Sequence, residues 1–370
     1  MERVLKNAFV LTEEGRFCRT DVVLRDGVIL SVGETELPGE DLHGRYLIPG
    51  LVDIHTHGCA GGDHLDGTPE KTQAICRRMA QVGTTTVLAT VMTQSRETML
   101  AGVRNAAAYA KRRDGARIRG IYLEGPFFSD AYRGAQHPDH LLDPDAAFLA
   151  QLQEAAGGLV RIVSLAPEKE GALTLIENAA PIRVFLGHTA ADYDTAKAAF
   201  SAGACGLTHA YNGMAPMHHR KPGALGAAME TEGVFCECIC DGFHVHPAMV
   251  GLLYRQVGRE RFCVISDSLR PAGLPDGRYE SGGQPVTVRD GKAYLDSGTI
   301  AGSTTCLLDE VRNLVSWGVC SLADAVYAAS TVPARAAGIF DQVGSITPGK
   351  TADLLILKED LSLVEVILGA

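Results

Sequence analysis

The sequence predicts an α/β fold: a (β/α)8 barrel joined to a small β-sandwich domain that both chain termini build. Eight separated apolar runs alternate with segments of helical period along the middle of the chain. Nearly continuous apolar strands between helices are typical of a parallel sheet covered on both faces, and eight such units favour a closed barrel. The 370 residues suit a barrel of about 250 residues with an accessory module.

Both ends of the chain have the character of short strands and turns. Residues 21–30 contain the Asp26-Gly27 pair, a strong hairpin signal. Residues 344–357 are typical of a turn followed by a strand. Because the termini of a domain often lie close together, we predict that residues 1–48 and 342–370 form the β-sandwich and residues 49–341 the barrel.

The middle of the chain supplies the barrel units. The predicted strands are 47–55, 84–91, 118–124, 159–166, 182–188, 205–210, 234–240 and 262–267. Helical period is found in, among others, 70–82, 95–112, 144–156, 191–202 and 247–258. A second Asp-Gly pair within residues 286–296 predicts a hairpin inserted after the eighth strand.

Composition and charge narrow the functional classes. The formal net charge of −10 argues against non-specific binding of nucleic acid, although a local basic cluster can still hold an anionic substrate. The sequence has no apolar stretch near the ~20 residues of a membrane span and no signal-peptide core at its start. We therefore expect a cytoplasmic protein without a nucleic-acid or membrane partner.

The ten cysteines form no CxxC pair and lie scattered through apolar runs. This pattern predicts reduced, mostly buried thiols. Cys236, Cys238 and Cys240 alternate and can share one face of a strand. A metal cluster there is one interpretation, and three small packing residues is the one that we favour.

Ionisable residues stand at the ends of the predicted strands. His55 and His57 lie two apart, a spacing that points both imidazoles to the same face of a strand. The later runs end at Glu124, His188, His209, Asp241 and Asp267. Because active residues of barrels sit at the carboxyl ends of the strands, we predict that these side chains converge on one rim.

This residue set suits a metal-centred hydrolase. Each member also has a structural interpretation: a hydrogen-bonded core histidine, an ion-paired glutamate or a helix-capping aspartate. A bound cation would offset the desolvation cost of Glu124, which follows three apolar residues. Imidazole and carboxylate ligands suit zinc, iron, manganese or cobalt, and spacing does not choose among them. Asp267, beside such a site, can act as a general base and then a general acid.

A series of motifs points to one family. In chain order they are His55-Thr-His57-Gly, Leu123-Glu-Gly-Pro-Phe127, Gly187-His-Thr189, Thr208-His-Ala-Tyr-Asn-Gly-Met214, Asp241-Gly-Phe-His-Val-His246, Ser266-Asp-Ser268, Ala301-Gly-Ser303 and Pro348-Gly-Lys-Thr-Ala-Asp-Leu354. With these motifs the chain resembles, nearly end to end, the N-acetylglucosamine-6-phosphate deacetylases of the amidohydrolase superfamily. The first and last motifs identify only the superfamily, whereas the combination of the second, fourth and fifth is more specific.

The resemblance implies hydrolysis of the acetamide of N-acetylglucosamine 6-phosphate to glucosamine 6-phosphate and acetate, in amino-sugar catabolism. It implies that Glu124, His188 and His209 bind the principal divalent metal. His55 and His57, with Glu124 bridging, would supply a second site, and whether one or two ions bind stays open. A metal-activated water would be the nucleophile, and Asp267 would move the proton to the departing amine.

Substrate contacts are implied in the same way. Asn212 and the Gly213 amide match a phosphate-holding pair, His244 matches a sugar- or phosphate-contacting histidine, and Ala301 belongs to the last of the barrel motifs. Arg220 matches a phosphate-binding arginine that crosses a dimer interface in relatives, which implies a homodimer. A guanidinium binds phosphate through two parallel hydrogen bonds. The alternative for residues 218–221 is a solvated basic loop.

The sequence departs from the family pattern at two positions. Gln136 stands within Gly134-Ala-Gln-His137, where many relatives have Gly-Ala-His, and its amide can still donate to the acyl group. Where relatives usually have Asp-Ala-x-x-x-Ala-Gly, this chain has Asp267-Ser-Leu-Arg-Pro-Ala-Gly273, and Arg270 predicts a cation near the mouth of the site.

Three other functions compete. A deacetylase of another 6-phospho-amino sugar, such as N-acetylgalactosamine 6-phosphate, differs through hydroxyl contacts that the sequence does not locate. A cyclic-amide hydrolase of this superfamily usually carries a metal-bridging lysine at the fourth strand end, and residues 164–168 contain none. A binding protein on the same fold would have lost part of the ligand set, which is complete here.

Overall fold

The computed structural model describes residues 2–369. Its strands, in chain order, are β1 (Glu2–Leu11), β2 (Phe17–Arg25), β3 (Val28–Val32), β4 (Glu40–Asp41), β5 (Tyr46–Pro49), β6 (Leu51–Thr56), β7 (Gly58–Cys59), β8 (Gly62–Asp63), β9 (Thr84–Met92), β10 (Arg117–Glu124), β11 (Val160–Leu165), β12 (Arg183–Leu186), β13 (Gly206–Leu207), β14 (Phe235–Cys238), β15 (Phe262–Val264), β16 (Gly277–Ser281), β17 (Gln284–Arg289), β18 (Lys292–Leu295), β19 (Leu354–Leu357) and β20 (Leu363–Ile367).

The α-helices are α1 (Pro69–Gln81), α2 (Arg96–Tyr109), α3 (Ala146–Ala155), α4 (Ala172–Asn178), α5 (Tyr193–Ser201), α6 (Gly223–Glu230), α7 (Pro247–Val257), α8 (Leu307–Ser316), α9 (Leu322–Ala328) and α10 (Thr331–Ala336). Short 3₁₀ turns lie at His64–Asp66, Asp130–Tyr132 and Pro138–His140. Within residues 2–369, no helix is both long enough and apolar enough to cross a membrane.

Eight parallel strands form the barrel, in the spatial order β6, β9, β10, β11, β12, β13, β14, β15. Inward side chains such as Ile54, Tyr122 and Phe185 fill its interior, and a larger apolar layer separates the strands from the helices. The first and last strands meet through the amide of Asp267, which donates to the carbonyl of His55 at 2.9 Å. The predicted fold class, a (β/α)8 barrel with a small β domain, is confirmed.

The predicted first barrel strand, 47–55, is two strands in the structure. β5 pairs with β1 and β19 of the terminal sheet, whereas β6 pairs with β9 of the barrel. The chain changes sheets at Gly50, where an added Cβ would lie 2.1 Å from Thr85 Oγ1. A single apolar run therefore serves two sheets because a glycine lets the backbone pass close to β9.

Both ends of the chain build one seven-stranded sheet, in the order β20, β19, β5, β1, β2, β3, with β4 on β1. Its own apolar cluster includes Leu5, Val10, Leu47 and Ile356. The Asp26-Gly27 turn joins β2 to β3 as predicted, with positive φ at both residues, 50° and 76°. The exact boundaries at residues 48 and 342 stay predictions.

The segment after β15 forms a three-stranded antiparallel sheet of β16, β17 and β18. Its Asp290-Gly291 turn confirms the predicted hairpin, again with positive φ at both positions. Gln284 Nε2 donates to the carbonyl of Ala135, and Gln94 Nε2 donates to the carbonyl of Gly282 at 3.2 Å. These hydrogen bonds fix the inserted sheet over the carboxyl end of the barrel.

All ten cysteines are free thiols, and Cys236, Cys238 and Cys240 are fully buried. The three belong to the apolar layer between strands and helices. They pack as small apolar residues, and no group of three metal-binding side chains in residues 2–369 includes a cysteine.

Candidate metal centre

Six of the predicted side chains meet at the carboxyl end of the barrel, and we call them the floor: His55, His57, Glu124, His188, His209 and Asp267. All six are buried. They form two groups, Glu124 with His188 and His209, and His55 with His57 and Asp267, and within each group one ligand atom per residue lies within 4.8 Å of the others. The predicted convergence is therefore present in the structure.

Glu124 stands at the centre of the floor. Its Oε1 lies 3.1 Å from the Nε2 atoms of both His188 and His209 and 3.5 Å from His55 Nε2. Its Oε2 lies 3.4 Å from His57 Nε2. The two carboxylate oxygens of one residue thus face both groups, which is the arrangement that a bridging ligand requires.

Asp267 faces the His-x-His pair. Its Oδ1 lies 3.0 Å from His57 Nε2 and 3.6 Å from His55 Nε2. Burial raises the pKa of Asp267, but the hydrogen bond from His57 and the charges of both histidines outweigh burial and hold the pKa below its usual value. The carboxyl group is therefore ionised at neutral pH.

The Nδ1 atoms of two histidines are held by backbone carbonyls. His188 Nδ1 lies 2.9 Å from the carbonyl of Tyr132, and His209 Nδ1 lies 3.2 Å from the carbonyl of Asn212. Because a carbonyl only accepts, both rings carry a proton on Nδ1 and turn Nε2, the nitrogen that can bind a cation, toward Glu124. These two Nε2 atoms are 3.1 Å apart.

This donor set fits a divalent cation. Two imidazole nitrogens and a carboxylate oxygen converge on one place, and His55 Nε2 is buried without a hydrogen-bond partner. Burial raises the pKa of Glu124, yet hydrogen bonds from His188 and His209 hold it well below its usual value. Divalent cations bound at the two groups would satisfy these atoms.

Three of the floor residues have a strained backbone conformation that directs their side chains. His188, His209 and Asp267 lie two or three residues beyond the ends of short strands and adopt positive φ values of 45°, 27° and 47°. Such conformations cost about 1–3 kcal/mol each and persist where the surroundings over-determine them. The left-handed turn ends each strand and directs the side chain over the barrel mouth.

A cavity of about 240 Å³ opens above the floor. The inserted sheet and the segment after it cover one side with apolar side chains, Val286, Leu295 and Ile300, which we call the roof. The cavity therefore has a charged base and an apolar cover, which suits a ligand with one reacting polar group and a carbon skeleton.

Most predicted substrate contacts line this cavity. Asn212, Gly213, His244 and Ala301 all face it. His244 Nδ1 lies 2.7 Å from Asp241 Oδ2, and its Nε2 is buried with no partner, so the ring presents an unsatisfied nitrogen. Asp241, which ends the seventh strand, thus orients His244 and is not part of the ligand groups.

Gln136 lines the cavity with its amide already engaged. Its Nε2 donates to Glu124 Oε2 at 2.5 Å, and its Oε1 accepts from the amide of Thr93 at 3.1 Å. One amide hydrogen of Gln136 therefore holds Glu124, and the donation of the other to an acyl group stays a prediction.

The two predicted arginines lie outside the cavity lining. Arg220 is exposed in a separate surface depression beside Lys221. Arg270 pairs with Asp66 at 2.7 Å and with Glu280 at 3.2 Å. The cation expected near the site mouth is therefore paired with two carboxylates and does not line the cavity.

Glu237 is a residue that the sequence reasoning missed. It is fully buried in β14, and its Oε2 lies 3.0 Å from His55 Nδ1. The available signal was an acidic residue between Cys236 and Cys238 in an apolar strand. Alternation places it on the opposite face from the cysteines, inside the barrel.

Comparison with known proteins agrees with this architecture. The model of the amidohydrolase family matches residues 46–369. The chain is 37% identical to an N-acetylgalactosamine-6-phosphate deacetylase of Escherichia coli, covering 99% of this chain and 98% of that one. It is also 37% identical to an N-acetylglucosamine-6-phosphate deacetylase of Bacillus subtilis, covering 98% and 94%.

Among solved structures, the chain is similar to N-acetyl-D-glucosamine-6-phosphate deacetylase of Mycobacterium smegmatis, an Asp-to-Ala variant in complex with N-acetyl-D-glucosamine 6-phosphate. The TM-score is 0.93 at 34% identity, with 99% of this chain and 98% of that chain covered. The enzyme of Thermotoga maritima has a TM-score of 0.90 at 30% identity, with 99% and 98% covered. The family match and the full-length likeness together show that this chain belongs to the amidohydrolase family.

Proposed function

We propose that this chain hydrolyses the acetamide of N-acetylglucosamine 6-phosphate to acetate and glucosamine 6-phosphate in amino-sugar catabolism. The observation that carries the proposal is the pair of adjacent ligand groups beneath one cavity, with Glu124 of one group facing the histidines of the other. Relatives along the whole chain are named as deacetylases of 6-phospho-amino sugars, and one similar solved structure holds this sugar phosphate.

We assign Glu124, His188 and His209 to a principal divalent cation, and His55 and His57, with Glu124 bridging, to a second. Zinc or iron suits these ligands best, with manganese or cobalt as alternatives. A cation bound there supplies a Lewis acid that polarises the acetyl carbonyl and activates water.

Asp267 is assigned the proton transfers. Its ionised carboxylate lies at the cavity, so its Oδ1 can take a proton from the attacking water and later deliver it to the departing amine nitrogen. His57, 3.0 Å away, orients the carboxylate before substrate binds. Gln136 holds Glu124 in place, and backbone carbonyls hold the rings of His188 and His209.

The phosphate and sugar contacts are assigned to the cavity wall. The Gly213 amide, Asn212 and the unpaired Nε2 of His244 supply polar groups to this wall, and Ala301 borders it. Arg220, which lies outside the cavity of its own chain, would add a guanidinium from the neighbouring subunit of a homodimer. We expect the enzyme to work in the cytoplasm.

Acetate release by the purified protein tests the function directly. We expect turnover of N-acetylglucosamine 6-phosphate that is lost on chelation and restored by a divalent metal. N-acetylgalactosamine 6-phosphate is the second candidate substrate, because the relative from Escherichia coli is named for it. A higher kcat/KM for the galacto epimer would transfer the proposal to that sugar, and full activity of cation-free protein would refute the metal mechanism.

A further inference from the structure

We infer that Glu237 is a positioning residue that commits His55 to the second cation, so that the charge of Glu237 sets the affinity of that site. The inference rests on the proposed two-cation floor and adds to it a carboxylate outside both ligand groups. It is argued from hydrogen-bond geometry and charge balance.

The position of Glu237 links three strands of the barrel. It lies in β14, and its Oε2 is 3.0 Å from His55 Nδ1, at the end of β6. The same oxygen accepts from the amide of His209 at 3.2 Å, just beyond β13. One carboxylate oxygen therefore holds the ring of one proposed ligand and the backbone of another.

This contact fixes the tautomer of His55. A carboxylate only accepts, so the imidazole keeps a proton on Nδ1, and Nε2 is the nitrogen left to bind a cation. That Nε2 lies 3.5 Å from Glu124 and 3.6 Å from Asp267, both acceptors, and has no hydrogen-bond partner. The nitrogen is therefore aimed between two carboxylates, where a cation can bind all three groups.

The two cation sites differ in what stands behind their histidines. Neutral carbonyls of Tyr132 and Asn212 hold His188 and His209, whereas a buried carboxylate holds His55. A carboxylate partner raises the basicity of a ligating imidazole more than a carbonyl does. Glu237 therefore strengthens the second site and leaves the principal site to its own ligands.

Charge balance supports the same assignment. Glu124, Asp267 and Glu237 are buried together and carry a charge of −3 when ionised, which one divalent ion of charge +2 leaves uncompensated. Glu237 Oε1 has no hydrogen-bond partner, so that oxygen receives no compensating donor from the described residues. Burial of an uncompensated carboxylate is costly, and a second cation removes that cost.

Titration of metal-free protein with Co²⁺, followed by the absorbance of the bound ion, tests this inference. We expect two binding steps in the wild type. Glu237→Gln keeps the shape and removes the charge, so the weaker step should lose about 10–100-fold in affinity while the stronger step is unchanged. Glu237→Leu, which removes the acceptor as well, should lose more.

Glu310→Gln is the matched control. Glu310 is equally buried, on α8, and it does not line the cavity or belong to either ligand group. Replacing its buried carboxyl group by an amide should leave both steps in place. In a His55→Gln background, Glu237→Gln should have no further effect on the titration, because the ring that it positions is gone.

The outcomes separate a positioning role from a structural one. If Glu237→Gln lowers the Tm of metal-free protein but leaves both steps intact, Glu237 is only structural and the inference is overturned. If Glu237→Leu fails to fold, the affinities of the weaker step in the other proteins still decide. We expect this affinity to fall from the wild type to Glu237→Asp and further to Glu237→Gln. A wild type with one step overturns the inference and the second cation but leaves the proposed hydrolysis standing, whereas two steps without acetate release overturn the proposed hydrolysis alone.

Discussion

The floor and the roof of the cavity differ in the type of their residues and in the contacts that hold them in place. The floor consists of buried ionisable groups at strand ends, fixed by the barrel and by strained backbone. The roof consists of apolar side chains from an inserted sheet, fixed by a few side-chain hydrogen bonds to distant loops. We therefore expect substitutions in the floor to change turnover, and substitutions around the rim and roof to change affinity or stability.

The largest effect is expected from Glu124→Gln. Glu124 faces both ligand groups, so losing its charge should release both cations and reduce turnover by at least about 10⁴-fold, the upper limit of a single acid–base contribution. Metal content and acetate release measure the two effects. Glu97→Gln, an exposed position on α2, is the control, and retention of both ions in Glu124→Gln would contradict the shared-ligand assignment.

Asp267→Asn separates proton transfer from cation binding within the floor. The amide preserves the shape but cannot accept the proton, so kcat should fall about 10²–10⁴-fold while KM and the ion at the principal site change little. Steady-state kinetics and metal analysis of one preparation check both. Acetate release at the wild-type rate would remove Asp267 from its assigned role.

Arg220→Ala tests a residue that lies outside both the floor and the roof. A phosphate contact is made in both the ground and transition states, so KM should rise about tenfold with kcat nearly constant. Arg104→Ala on α2, also exposed, controls for the loss of a surface charge. Light scattering should show a dimer in both variants, and an unchanged KM in a dimeric protein would exclude Arg220 from the site.

The smallest catalytic effect is expected from Arg270→Ala, because Arg270 does not line the cavity. Arg270 pairs with Asp66 and Glu280, so its loss should lower the free energy of unfolding by about 1–3 kcal/mol. The ratio of kcat/KM for the gluco and galacto substrates should not change, because the charge is neutralised away from the cavity. Denaturant unfolding and paired kinetics measure these outcomes, and a changed ratio would contradict the second.

Sequence alone predicted the floor better than the roof for a physical reason. His55, Glu124 and Asp267 each end an apolar run, and barrel geometry brings such ends together without further information. The hairpin around Asp290 is equally local. Its docking depends on Gln284 reaching Ala135 and on Tyr294 packing against Phe243, contacts between segments far apart in sequence that no local pattern encodes.

Glu237 and Gly50 illustrate two other limits. The three alternating cysteines predicted one face of β14 correctly, but the functional group lies on the other face. Gly50 divides a single apolar run between two sheets, and only the pairing partners of each half reveal the division. In both cases the local pattern predicted a strand correctly. It did not predict which face of β14 carries the carboxylate near His55, or that the two halves of the run join different sheets.

The pairing of β5 has a consequence for biosynthesis. This strand lies between β1, which the ribosome completes almost first, and β19, which it completes almost last. During translation, the edge of β5 that pairs with β19 therefore stays unpaired while the barrel is synthesised. An unpaired strand edge is a template for association with other chains. Premature stop codons before Leu354 should thus yield products that chaperones must retain or proteases clear, even when every catalytic side chain has already been made.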